Sequence, residues 1–195
     1  TLAGLSALVL SFLFAQSMSL LKENGKKNRL VHLIEILITM PLFVSPITIS
    51  LGYQKIIQHN HWNLNRFFLL LAIHTIITLP FVFRIISQAL ENISQTQLNA
   101  ARTLGANSYK VFVSLIVPQL KRSIILAFSF AFALSFGEFG AVLMIDRGYV
   151  TIPVAIYRFI GARRLTNGIN VSFILLLTTF AFFFLMETMS EKKSS

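Results

Sequence analysis

Long stretches of apolar residues alternate with short polar segments along the 195-residue chain. A helix that crosses a membrane needs about 20 mostly apolar residues, with roughly 17 to 25 possible. Because open sheet edges cannot face lipid, the pattern predicts an all-α integral membrane protein with about five transmembrane helices. The five predicted crossings are residues 1–21, 36–53, 67–86, 123–145 and 169–186.

Proline and charge interrupt this pattern in two places. Pro41 and Pro46 lie in the second apolar stretch, and each removes a backbone donor and favours a kink. Such a bend either lines a pathway or is ordinary packing of a kinked helix in a bundle. Residues 146–164 carry too much charge to cross a membrane, and we expect the sequence TIPVAIY within them to form a short helix at the outer surface.

The composition supports a membrane location. Hydrophobic residues make up 55% of the chain and charged residues only 12%, with a mean hydropathy of +0.72, whereas an ordinary soluble domain carries about a quarter charged residues. The net charge is +10, but Lys and Arg lie at the ends of the apolar stretches rather than on one face, which argues against nucleic acid as a partner. The sequence contains no cysteine, which excludes disulfides, Cys-ligated zinc and a thiol nucleophile.

The basic residues also orient the predicted helices. Alternate loops between five helices lie on opposite sides, and eleven Lys and Arg residues fall on one side against six on the other. Basic loops favour the cytoplasm, so we expect a multi-pass membrane protein whose richer side is cytoplasmic. That side contains Lys22, Lys26, Lys27, Arg29, Arg84, Arg102, Lys110, Lys121, Arg122, Lys192 and Lys193.

The cytoplasmic loop between the third and fourth crossings, about residues 93–118, has the pattern of a short helix followed by a turn. Ser94 and Gln97 fit S-x-x-Q, a capping box at a helix start. Gly105 stands where a helix commonly closes in a left-handed conformation. A second rise begins near Ser108 and reaches Pro118, close to the start of the next crossing.

Small residues in this loop resemble a known signature. The inner-membrane permease subunits of binding-protein-dependent ABC importers carry E-A-A, three residues, Gly, nine residues and then I-x-L-P. Asn99, Ala100 and Ala101 are followed by Gly105 and Pro118 at the same spacing. The chain departs from the signature at position 99, where Asn replaces Glu and removes a charge, and mildly at positions 115 and 117, where Leu and Val stand.

This resemblance implies an architecture and a set of partners. Residues 1–195 would form one transmembrane permease core, and the loop would be a coupling helix seated on cytoplasmic ABC ATPase subunits. An extracytoplasmic solute-binding protein and a second permease copy or domain would complete the importer. The chain itself lacks G-x-x-x-x-G-K-[ST] and so has no phosphate cradle of that kind. The residues expected to couple to the ATPase are Asn99, Ala100, Ala101, Gly105 and Pro118.

A second resemblance bears on the solute. The sequence LSFGEFGAVLMI, residues 134–145, is similar to the G-[ED]-F-G segment of permeases for ferric iron, thiamine, sulfate, molybdate and polyamines. Together with the following TIPVAIYRFIGARR it most resembles the ferric iron and thiamine group. We therefore expect ferric iron or thiamine first, and sulfate or molybdate next.

Five residues within the apolar stretches are candidates for the pathway or its gate. Glu138 lies within the fourth predicted crossing, where an acid is costly and by default marks a function; the alternative is that it caps or bonds a neighbouring helix. His74 lies in the third, where it contacts solute or, more commonly, bonds a neighbouring carbonyl. Phe139, Pro41 and Pro46 complete the set.

Other classes of function predict sequence features that differ from those of a permease. The sequence shows no catalytic constellation and no metal-ligand spacing, so we expect no enzyme activity, cofactor or metal site. The rivals are an ATP-independent carrier or channel, which predicts inverted repeats or a polar midplane site, and a structural or assembly membrane protein. Because the chain opens at Thr1 inside an apolar stretch, we expect a fragment or one half of a longer permease.

Overall fold

The described chain is built from helices. The computed structural model describes residues 2–23, 29–59, 65–145 and 150–191, and within these ranges it contains no β-strand. A 3-10 turn, Met40–Phe43, joins α2 to α3, and a π-helical turn, Phe112–Ile116, joins α6 to α7. The all-α prediction is confirmed. The α-helices are α1 (Leu2–Glu23), α2 (Arg29–Thr39), α3 (Pro46–His59), α4 (Arg66–Glu91), α5 (Gln95–Thr103), α6 (Ser108–Val111), α7 (Val117–Gly137), α8 (Gly140–Ile145), α9 (Ile152–Gly161) and α10 (Leu165–Glu191).

Several of these helices can span a membrane. Among the described residues, three are long and apolar enough on their own: Phe67–Glu91, Ser108–Gly137 and Leu165–Met189. The bent pair Val31–Phe43 and Pro46–His59 makes a fourth if it counts as one span. α1 has 22 residues, but its described apolar part, Leu2–Ala15, is shorter than these spans.

The second predicted crossing is broken rather than continuous. The helices before and after the break are bent by 105°, so the predicted kink exists and is sharper than a proline bend within one helix. Pro41 lies in the 3-10 turn, where its carbonyl accepts a hydrogen bond from the Val44 N–H at 3.3 Å. Pro46 begins α3, where its missing N–H removes no helical hydrogen bond.

The fourth predicted crossing has the wrong bounds. The membrane-length helix runs over Ser108–Gly137 rather than residues 123–145. Glu138 follows it in an extended conformation, with φ −69° and ψ 122°, and the short α8 then begins at Gly140. Hydropathy cannot reveal this break because the residues on both sides of it are equally apolar.

The core forms where α1, α4 and α7 meet. Small residues four positions apart on α1 are all buried, and small side chains let two membrane helices approach closely. The hydroxyls of Ser6 on α1 and Thr75 on α4 lie 2.6 Å apart and are hydrogen-bonded. Ala127 and Ala131 of α7 are fully buried in the same cluster. The small residues of α1 are Ala3, Ala7, Ser11 and Ala15.

Two further helices pack beside this core. Phe132 of α7 stacks on Phe182 of α10, with 3.7 Å between ring centroids. The predicted surface helix is confirmed as a helix in α9, where Val154 is fully buried. In the most apolar part of α10 no residue is buried, so this helix presents most of its apolar surface outward.

Candidate functional site

Helix α5 of the loop begins at the predicted position. Ser94 is the residue before it, and its carbonyl accepts hydrogen bonds from the N–H groups of Gln97 at 3.1 Å and Leu98 at 3.2 Å. Among the described residues the Ser94 side chain makes no capping hydrogen bond, so the predicted capping box is wrong. The Gln97 side chain is engaged elsewhere: its Oε1 accepts a hydrogen bond from Nε2 of Gln119 at 3.1 Å.

Gly105 closes α5 in the predicted left-handed conformation. Its φ is +80°. The Ala106 N–H donates to the Ala101 carbonyl at 3.1 Å, and the Gly105 N–H donates to the Arg102 carbonyl at 3.0 Å, which is the hydrogen-bond pattern of a Schellman motif. A Cβ at Gly105 would meet nothing within 4 Å. Glycine is therefore required here by backbone conformation and not by lack of space.

The chain re-enters a helix directly after this turn. Asn107 caps α6, since its side chain accepts a hydrogen bond from the Lys110 N–H at 2.8 Å. In the π-helical turn that follows, the Val117 N–H bonds the carbonyl of Phe112, five residues back. Pro118 has no N–H with which to continue the α-helical ladder, so the change of hydrogen-bond register falls just before it. The predicted rise toward Pro118 is confirmed.

A small apolar cluster holds the loop against the helices. Leu98 is only 8% exposed and packs with Ile93, Val111 and Leu120. Leu104, by contrast, is 87% exposed. Leu98, Ala101 and Leu104 recur three residues apart in the sequence, as on one helix face, but Leu104 is the residue that ends α5.

The exposed tip adds residues that sequence reasoning missed. Leu104 at 87% exposure and Tyr109 at 75% are large side chains at the surface of the loop. They flank Gly105, and their size within a polar loop is the sequence signal that could have identified them. Large apolar side chains grouped at one exposed tip are typical of an interaction site.

The loop encloses a groove between α5 and the start of α7. The groove has a volume of about 470 Å³ and brings together Ala100, Ala101 and Pro118 of the predicted coupling set. Gln97, Leu104, Ser114, Leu115 and Gln119 line the remainder. Asn99 is exposed on the same helix, and its carbonyl accepts a hydrogen bond from the Thr103 hydroxyl at 2.9 Å.

Glu138 lies in the break between α7 and α8, not inside a helix as predicted. Its Oε1 accepts a hydrogen bond from the Ala141 N–H at 2.9 Å, so the carboxylate caps the start of α8. This is the geometry of the alternative interpretation, in which the acid fixes helix packing. The next residue, Phe139, contacts Tyr157 of α9 with 5.2 Å between ring centroids.

Helix α3 is attached to α8 beside this break. The Ser50 hydroxyl donates to the Ala141 carbonyl at 2.9 Å, and Gln54 donates to the Met144 carbonyl. A Cβ at Gly140 would lie 2.9 Å from Cγ1 of Ile47. The first turn of α3, which begins at Pro46, is thus brought next to the segment that contains Glu138.

His74 is buried in α4 and contacts α7 near the same break. Its Nδ1 lies 3.0 Å from the Ser135 hydroxyl. A buried histidine with a partner was predicted, but the partner is a hydroxyl rather than a carbonyl. Pro41 lies before the 105° bend, whereas α3 lies after it.

Among the described residues no three His, Asp or Glu side chains lie close enough to hold a metal ion.

Comparison with known proteins identifies related chains. A family described as "Binding-protein-dependent transport system inner membrane component" matches residues 5–192. A chloroplastic sulfate permease of Chlamydomonas reinhardtii is 32% identical over 56% of this chain and 33% of its own length. A molybdenum transport system permease protein of Haemophilus influenzae is 36% identical over 44% of this chain and 39% of its own.

A third relative covers more of the chain. This protein of Salmonella paratyphi A, named as a candidate 2-aminoethylphosphonate transport system permease, is 24% identical over 78% of this chain and 58% of its own length. The chain therefore spans between about a third and three fifths of the length of these relatives.

Proposed function

Because the chain belongs to the family of binding-protein-dependent transport system inner membrane components, and is accordingly a multi-pass inner-membrane protein, we propose that it is the permease subunit of an ATP-driven ABC importer. In this role it would form part of the path for a small solute delivered by an extracytoplasmic binding protein. Cytoplasmic ATPase subunits would supply the energy, and a second permease copy or domain would complete the path.

The loop at α5 is the observation that carries this proposal. Leu98 anchors the loop in an apolar cluster, while Leu104 stands 87% exposed beside the turn at Gly105. Covering an exposed side chain of this size with apolar surface is favourable by about 1.5–3 kcal/mol. A rigid turn with an exposed apolar tip beside a groove gives a motor protein a surface to hold, which an ATP-independent carrier does not need.

Each residue of the predicted coupling set then has a specific role. Ala100 and Ala101 leave room for the partner at the groove, and Pro118 marks the start of the helix that the partner moves. Gly105 lets the turn close after α5, because it adopts the left-handed conformation without strain. Asn99 would contact the ATPase through a neutral hydrogen bond rather than an ion pair.

For the pathway, we propose that the break at Glu138 and Phe139 acts as the gate. The extended backbone at Glu138, which interrupts the helix between α7 and α8, supports a hinge at this point. Pro46 lies at the start of the adjoining helix, and Pro41 provides the bend before it. His74 would hold α4 against α7 on the other side.

The solute is proposed from the relatives together with the sequence. The relatives are named for sulfate, molybdenum and 2-aminoethylphosphonate, so we place a small oxyanion first. Ferric iron and thiamine, which the segment around Glu138 resembles in sequence, are the competing solutes. Uptake of labelled sulfate or molybdate, compared with ferric iron and thiamine, into vesicles that contain the complete importer decides between them.

Sidedness of the loop tests the proposal directly. The sequence contains no cysteine, so Ser108→Cys provides a single labelling site on the native background. An impermeant thiol reagent should label it in inside-out vesicles and not in right-side-out vesicles. Ala162→Cys, on the opposite predicted side, should give the reverse result. Labelling of Ser108→Cys from outside would contradict the proposal.

Co-purification tests the partner. The intact protein, extracted in mild detergent, should bring down a nucleotide-binding subunit. A carrier or an assembly protein would not do so, and purification without such a subunit under conditions that retain other partners would favour those rivals.

A further inference from the structure

A small cavity lies between α7 and α10, away from the loop groove and from the break at Glu138. Its volume is about 100 Å³, well above the roughly 10–15 Å³ that one water molecule needs. It is therefore large enough for a compact polar group. Its wall combines apolar residues with one base and one acid: Arg122, Ile125, Leu126, Ser129, Phe183, Met186 and Glu187.

The two charged residues of this cavity, Arg122 and Glu187, have no hydrogen-bond or ion-pair partner within the part of the chain that the structure describes. The Ser129 hydroxyl, in contrast, has a partner within the chain, because it donates to the Ile125 carbonyl at 2.8 Å. Both side chains are exposed, so Arg122 and Glu187 are each available to a group of opposite charge from outside the chain.

The position of the cavity indicates which molecule supplies those groups. It lies between the spans Ser108–Gly137 and Leu165–Met189, whose mean hydropathies are 1.7 and 2.2. Leu126 beside it is 43% exposed, so the cavity opens on a surface that faces lipid. Arg122 follows the loop closely and Glu187 lies near the end of α10, which places both charges at headgroup depth on the same side of the membrane.

We propose that this cavity binds the headgroup of phosphatidylethanolamine. The guanidinium of Arg122 donates to the phosphate oxygens, as in other arginine–phosphate pairs, and the carboxylate of Glu187 accepts from the ammonium group. The acyl chains lie outside the cavity along Leu126 and its neighbours. Phosphatidylglycerol offers only the phosphate, and phosphatidylcholine has no N–H to donate to Glu187.

Lipid retention measured by native mass spectrometry tests this assignment. The intact protein is released from nanodiscs of equal parts phosphatidylethanolamine, phosphatidylglycerol and phosphatidylcholine. Each charge-assisted hydrogen bond is worth about tenfold or more in binding, so phosphatidylethanolamine should be retained at least about tenfold over phosphatidylcholine. Glu187→Gln should remove the preference over phosphatidylglycerol, and Arg122→Gln should weaken retention of both. Arg84→Gln, an equal loss of charge outside the cavity, should change neither.

Other results would overturn the proposal. Equal retention of the three lipids by the unaltered protein would show that the cavity does not select a headgroup. An effect of Arg84→Gln equal to that of Arg122→Gln would show general attraction to anionic lipid. Displacement of the lipid by equimolar soluble glycerophosphoethanolamine would show a site for free phosphate compounds. None of these measurements requires transport, so they are independent of the importer proposal.

Discussion

Gln119 donates a hydrogen bond from its Nε2 to the Oε1 of Gln97 at 3.1 Å, across 22 positions of the chain. Gln97 belongs to α5 of the loop and Gln119 to the first turn of α7, and both line the groove between them. This bond joins the two helices directly, in addition to the backbone that connects them. In the proposed importer, this bond would connect a displacement of α5 to the first turn of the membrane-spanning helix.

Gln119→Leu should uncouple the loop from α7. A hydrogen bond of this kind contributes about 0.5–1.5 kcal/mol, so uptake should fall between about twofold and tenfold while ATP hydrolysis by the assembled importer falls less. Both rates are measured in the same proteoliposomes. The pair Gln97→Glu with Gln119→Lys restores a link as an ion pair and should recover uptake. Wild-type uptake by Gln119→Leu would show that the bond has no mechanical role.

Substitutions of Gly105 should depend on backbone conformation rather than on size. The φ of +80° costs a β-branched residue about 1–2 kcal/mol or more, whereas asparagine adopts it more easily. Gly105→Val should therefore abolish or strongly reduce uptake while membrane insertion persists, and Gly105→Asn should retain most of it. Equal losses in both variants would point to a contact with a partner in place of the turn.

Alanine substitutions at Leu104 and Leu98 should distinguish a loss of ATPase docking from a loss of stability. Leu104→Ala removes a side chain that is 87% exposed, so thermal stability in detergent should be unchanged and co-purification of the ATPase subunit should weaken. Leu98→Ala removes a buried anchor and should destabilise the protein by about 2–5 kcal/mol. If Leu104→Ala retained the ATPase subunit fully, the exposed tip would not be the docking surface.

Replacing the carboxylate of Glu138 by an amide should leave the protein stable, whereas truncating the side chain should destabilise it. Glu138→Gln keeps an oxygen that accepts the Ala141 N–H, so stability and uptake should stay close to those of the unaltered protein. Glu138→Ala removes the cap and should cost about 0.5–2 kcal/mol, seen as a lower melting temperature in detergent. Loss of transport in Glu138→Gln with normal stability would instead show that the pathway needs the charge.

Gly140 should be sensitive to a single methyl group, unlike Gly137. A Cβ at Gly140 would lie 2.9 Å from Cγ1 of Ile47, whereas a Cβ at Gly137 would meet nothing within 4 Å. Overpacking of this kind costs about 1–3 kcal/mol, so Gly140→Ala should lower thermal stability and Gly137→Ala should not. Ile47→Ala should restore stability to Gly140→Ala. Failure of that rescue would exclude the α3–α8 contact as the cause.

The loop could be predicted closely because its signals are local. Gly105 adopts its left-handed conformation whatever lies nearby, and the helix start at Ser94 and the rise from residue 108 follow from adjacent residues. The capping box failed because Gln97 has a distant partner in Gln119. The spacing of Leu98 and Leu104 is helical, but helical spacing does not show where a helix ends.

The break at Glu138 could not be predicted for a different reason. Residues 134–145 read as one apolar helix, and what divides them is a contact with α3. The Ser50 hydroxyl donates to the Ala141 carbonyl. Ile47 packs so closely on Gly140 that a Cβ at position 140 would lie 2.9 Å from Cγ1 of Ile47. For the bend before Pro46, the prolines predicted its existence but not its angle of 105°.

The π-helical turn at Phe112–Ile116 holds one residue more per turn than an α-helix does. Deleting a single residue there would remove the wider turn and let the α-helical ladder run straight through, while the later side chains of α7 kept their faces. A deletion after Pro118, where α7 is regular, would instead rotate every later side chain by about 100° about the helix axis and turn Ala127 and Ala131 away from α4. Chimeras that exchange this loop between related permeases can accordingly differ by one residue within the π-helical turn, but not within α7.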